Sequence, residues 1–101
     1  MADVLTPYAR ALGIAVESIE DGAPVLTIGF SDAVQGRPGA LHGGAISGLL
    51  ETAGYAVLRR ALEAAGRDAA MKPINLTVQF LASGKPRQTF AMARIVKLGR
   101  R

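Results

Sequence analysis

The 101 residues make one small domain, spanning 1–101, and with half of them hydrophobic and no low-complexity tract an ordered globular unit is expected. The absence of cysteine and the single histidine exclude disulfides, thiolate catalysis and a cysteine or histidine metal cluster, so no metal or cofactor is expected. The net charge of +4 and pI near 10.1 suit an anionic partner, yet the bases are scattered and the aromatics do not alternate with them, which disfavours nucleic acid; a phosphorylated small molecule or a merely solvated basic surface fits better.

The opening residues, Met1 to Pro7, lack a basic and apolar leader pattern, and no apolar run reaches membrane-spanning length, so a soluble cytoplasmic protein with no membrane partner is expected. Pro7 near the start and Gly13 after the end frame a short helix over Tyr8 to Leu12. Ile14 to Ile19 alternates weakly as a strand, Glu20-Asp21-Gly22 signals a hairpin, and Val25 to Phe30 returns. Gly36, Pro38 and Gly39 mark Ser31 to Leu41 as a loop. A helix is predicted from about Ala45 to Ala65 with Gly66 as its C′ residue, and its apolar stripe comprises Ile46, Leu49, Leu50, Ala53 and Val57. After it, Ile74, Leu76, Val78 and Phe80 alternate with Asn75, Thr77 and Gln79, the clearest strand pattern in the chain. Ser83 to Pro86 turns, and Gln88 to Leu98 is predicted as a long strand. Hairpin, one long helix and then antiparallel strands place a single helix on one face of a sheet, an α+β fold.

The run Leu41-His42-Gly43-Gly44-Ala45-Ile46-Ser47-Gly48-Leu49-Leu50-Glu51 has the layout of a site. Two glycines at a helix start permit close backbone approach, and first-turn N–H groups polarise a carbonyl or hold an oxyanion. Glu51 lies off the apolar stripe, sharing its face with Gly44, Ser47, Gly48 and Tyr55. These small neighbours would let a partner subunit or a substrate come close. From the residues alone, Glu51 reads either as a solvated surface carboxylate or as a site acid or base. His42 reads as a loop-supporting hydrogen-bonding ring in preference to a catalytic base, because no orienting carboxylate stands at a readable spacing. Tyr55, one turn after Glu51, packs or lines a pocket.

Taken together, the glycine loop, His42-Gly43-Gly44, the acid nine residues after the histidine and Ile74-Asn75-Leu76-Thr77-Val78-Gln79-Phe80-Leu81 resemble the hotdog-fold acyl-CoA thioesterases of the phenylacetate-pathway type. Pro7 to Ile14 and the Leu98-Gly99-Arg100-Arg101 motif extend the likeness over nearly the whole chain. The resemblance implies a hotdog fold, an antiparallel sheet wrapped around one long central helix. It also implies two further strands after the Gly-Arg-Arg motif, so the C-terminal strands are expected to be missing from a chain ending at Arg101. It assigns catalysis to Glu51, as base or nucleophile, and to the Gly44 N–H, which polarises the thioester carbonyl. Substrate contacts fall to Gln35, His42, Gly43, Tyr55 and Arg100. Many members of that type carry Asn or Gln six residues before the histidine, where this chain has Gly36 beside Gln35, so either the loop register differs by one or the polar group is missing.

The expected activity is hydrolysis of acyl-CoA thioesters with small, medium or aromatic acyl groups. It would occur in a homodimer or homotetramer whose site lies between subunits. A hotdog hydratase fits poorly, since His42 has only Glu51 for company. A non-catalytic acyl-CoA binding or sensor module of the same fold is the alternative.

Overall fold

The computed structural model describes residues 5–99. Its elements run α1 (Pro7–Ala11), β1 (Ala15–Glu20), β2 (Ala23–Ile28), a 3₁₀ turn (Asp32–Val34), α2 (Gly43–Ala64) and β3 (Thr89–Met92). The strands form one antiparallel sheet in the order β1-β2-β3, with α2 packed against β2 and β3. This is the α+β arrangement of a sheet on one long helix.

Local chemistry accounts for the element ends. The Thr6 hydroxyl accepts the Ala9 N–H at 3.1 Å, capping α1. Asp21 (φ 51°) and Gly22 (φ 80°) both occupy the left-handed region, the requirement of the tight two-residue turn whose twist matches a hairpin. That turn sets the register Glu20↔Ala23, and a bulge between Val16 and Ser18 follows. At the far end of α2, Gly66 (φ 66°) lets its own N–H reach the Glu63 carbonyl at 3.0 Å and that of Arg67 reach the Leu62 carbonyl at 2.8 Å. Those bonds satisfy carbonyls the helix leaves open.

The core lies between β2 and α2: Leu26 and Ile28 pack with Ala45, Leu49, Ala53 and Ala56, joined by Ala9, Ile14, Val34 and Leu41. The helix face differs from the stripe expected from sequence. Buried positions are Ala45, Gly48, Leu49, Thr52, Ala53, Ala56 and Leu62, while Leu50 is 42 % exposed. Three alanines bring the helix axis close to the sheet, so the stripe is rotated toward them and the larger side chains of Leu50 and Leu58 fall outside it. The Thr52 hydroxyl is accommodated by donating to the Gly48 carbonyl at 2.6 Å.

Two strand expectations are corrected. The Ile74 to Phe80 segment forms no ladder among the described residues, and Ile74, Leu76, Phe80 and Leu81 are exposed. Alternation gives a segment two faces, but a strand exists only when a neighbour pairs with its N–H and C=O groups. The expected strand over Gln88 to Leu98 contracts to Thr89–Met92, which is what β2 can match in the register Val25↔Met92 to Ile28↔Thr89. Gln88 Nε2 and the Thr89 carbonyl both meet the Thr27 hydroxyl, at 3.0 Å each, and secure that end.

Candidate active site at the start of the long helix

The loop before α2 is tied to itself. Gln35 and Leu41 form a bridge, the Gly36 N–H donates to the Ala40 carbonyl at 3.0 Å, and the His42 N–H donates to the Val34 carbonyl at 2.8 Å. The Gln35 side chain holds the tip: its Oε1 accepts the Gly39 N–H at 2.7 Å. The other end of the site is set by Gly84. Its carbonyl accepts the Leu41 N–H at 3.3 Å, and a Cβ there would lie 2.9 Å from both Ile46 Cδ1 and Leu41 Cβ, so the close approach requires glycine.

His42 is the N-cap of α2. Its Nδ1 accepts the Gly44 N–H at 2.8 Å, so the ring's own proton sits on Nε2. The ring therefore serves the helix end as the sequence suggests, supporting the loop by a hydrogen bond. His42→Asn is expected to keep stability and turnover near wild type, because Asn caps equally well. His42→Ala should lose about 1 kcal/mol of stability. Thermal melts and kinetics on the two variants check this; equal loss of activity in both would make His42 a chemical participant.

This cap changes which first-turn N–H is available. Gly44, the carbonyl-polarising residue that the resemblance implies, spends its N–H on His42 Nδ1, and a Cβ at Gly44 would stand 2.9 Å from that atom. The Gly43 N–H, by contrast, has no hydrogen-bond partner among the described residues. Gly43 also borders a cavity of about 810 Å³, together with Gln35, Arg37, His42, Phe80 and Ser83, whereas Gly44 does not. The free donor is thus one residue earlier than expected.

Gly36 is likewise explained. A Cβ there would lie 3.1 Å from His42 Cα and 3.3 Å from its Cδ2, so a side chain at this position would be tight against His42. Gln35, with its Oε1 held by the Gly39 N–H, lines the cavity, and its Nε2 has no hydrogen-bond partner among the described residues.

Glu51 stands two turns along α2, about 12 Å of helix rise from Gly43. It is exposed and makes no ion pair among the described residues. It does not line the cavity at Gly43. With Tyr55, Leu50, Leu58, Met71 and Leu76 it lines a separate apolar groove of about 500 Å³. Tyr55, half-buried, thus keeps company with Glu51, while Gln35, His42 and Gly43 are gathered at the other concavity. The small face at Gly48 is not open, since a Cβ there would lie 2.9 Å from Leu12 Cδ1 and 3.3 Å from Tyr8 Cε2 of α1. Arg100 lies outside the described residues. Arg37 joins the site from the loop itself, whereas Phe80 and Ser83 are brought there beside the Leu41–Gly84 bridge, a long-range contact with no local sequence signal.

Residues 38–101 match the family described as Thioesterase superfamily. Among solved structures, a conserved protein from Pseudomonas aeruginosa aligns with a TM-score of 0.78 at 19% identity, over 97% of this chain and 76% of that one. A mutant of a thioesterase enzyme from Staphylococcus aureus subsp. aureus Mu50 aligns with a TM-score of 0.69 at 26% identity, over 94% and 77%. The first of these likenesses speaks to the fold alone. No curated protein matches the sequence. No helix among the described residues is long and apolar enough to cross a membrane.

Proposed function

The chain belongs to the thioesterase superfamily, and on that premise we propose that it hydrolyses acyl-CoA thioesters with small, medium or aromatic acyl groups. The kinship with the phenylacetate-pathway type belongs to the same proposal. The observation that carries it is the pairing, on one helix, of a free N–H at the first turn beside a cavity with an exposed, unpaired carboxylate two turns on.

The chemistry asks little of the protein. A thioester carbonyl is reactive, so one fixed donor for the oxyanion and one carboxylate suffice. The Gly43 N–H, in place of the Gly44 N–H that caps onto His42, polarises the carbonyl oxygen. Glu51 removes a proton from water as its oxygen attacks the carbonyl carbon. When the tetrahedral intermediate collapses, the C–S bond breaks and the proton on Glu51 passes to the leaving thiolate. Direct attack by the Glu51 carboxylate, followed by hydrolysis of the anhydride, gives the same products.

Because Glu51 and Gly43 of one chain border different concavities, the reaction is assigned to a homodimer or homotetramer in which Glu51 of one subunit faces the glycine turn of its partner. Mixing inactive Glu51→Gln subunits with inactive Gly44→Val subunits should restore about a quarter of wild-type turnover under random pairing. Half the dimers are then mixed, and one of their two sites is intact. Thiol release measured on the mixture decides the matter: no recovery, with subunit exchange demonstrated, means each site is built from a single chain.

Gly36 favours a second reading, an acyl-CoA binding or sensor module that does not turn over. Binding of acyl-CoA with no thiol release across an acyl-CoA panel would select it, whereas thiol release would show that the site works with Gly36 in place.

A further inference from the structure

Phe80 stands beside the residue that carries the free donor. A Cβ built on Gly43 would lie 3.4 Å from Cε1 and 3.5 Å from Cζ of the ring, so the ring edge stands at van der Waals distance from the place that a side chain at Gly43 would take. The rest of the ring is 56 % exposed, and Phe80 is not part of the core cluster. Its backbone is lightly held. Residues 78–83 make no hydrogen bond among the described residues, and the nearest tie is the Gly84 carbonyl to the Leu41 N–H. A large apolar ring placed there contributes little to the core, and it lines the same cavity as Gly43.

We propose that Phe80 is a specificity-determining wall, limiting how bulky an acyl group can be next to the carbonyl that reaches the Gly43 N–H. The inference rests on reading this cavity as the thioester site. The ring is apolar and rigid, so it selects by shape: a straight chain passes its edge, whereas a chain branched beside the carbonyl has to displace it.

The test compares isobutyryl-CoA with butyryl-CoA on wild type, Phe80→Ala and Phe80→Trp. Phe80→Ala should raise the branched-to-straight ratio of kcat/KM about tenfold, and Phe80→Trp should lower it several-fold, the scale on which apolar pockets discriminate by size. An unchanged ratio in both variants, whatever the absolute rates, overturns the proposal. Dissociation constants for the S-isobutyl and S-butyl thioethers of CoA supply a readout without turnover. Phe80→Ala should narrow the difference between them. If wild type releases thiol from neither ester, the hydrolytic reading fails while the thioether ratio still judges Phe80; an unaltered ratio then overturns the wall.

Discussion

Glu51→Gln is expected to lower kcat by about two orders of magnitude or more while leaving the fold intact. The amide keeps the shape of the carboxylate and removes its basicity. Glu51 is exposed and makes no ion pair among the described residues, so the substitution leaves no partner stranded. Stability should stay within about 0.5 kcal/mol, as for other surface changes. Thiol release across an acyl-CoA panel, set beside thermal melts, checks both halves. Unchanged turnover would return Glu51 to the solvated surface.

The second large effect is expected at Gly44→Val, with activity suffering more than stability. A Cβ at Gly44 would stand 2.9 Å from His42 Nδ1 and 3.1 Å from Cε1, so the capping ring has to swing away and the N–H bond it accepts is lost. Lost capping costs about 1 kcal/mol. Turnover should fall about a hundredfold, because the neighbouring Gly43 N–H is aimed by this turn and a shift of about 1 Å in a positioned group costs that much. Melting temperature and kcat/KM measured on one preparation give the ranking. A variant that unfolds while its folded fraction keeps full activity would make the glycine structural only.

Both predictions concern residues whose type and spacing were visible in the chain, but their roles were not equally so. The short helix, the hairpin turn at Asp21 and Gly22, the end of α2 at Gly66 and the helix start beside His42 follow from local rules. Each depends on a φ value, a cap or a periodicity carried by a few neighbouring residues. The family resemblance drew on that helix start together with Glu51 and the run Ile74 to Leu81, and the match over residues 38–101 bears it out as far as the thioesterase superfamily.

Contacts made over long separations decided the rest. Periodicity indicates that α2 has an apolar side but does not set its rotation to within one residue; the alanines at 45, 53 and 56, pressed on β2, did that and left Leu50 in the groove with Glu51. Which glycine keeps a free N–H depended on where the His42 ring turned, a rotamer choice that spacing cannot report. The alternation from Ile74 to Phe80 names two faces without supplying a ladder partner, so its strand is absent among the described residues and Phe80 stands at Gly43 instead. Sequence by itself determined the helix, the hairpin and the residue types of the site. Helix rise alone sets Glu51 about 12 Å from the glycine turn, but only the tertiary structure gave the two ends different concavities and brought Phe80 to the one at Gly43, because the walls of those concavities come from segments distant in the chain.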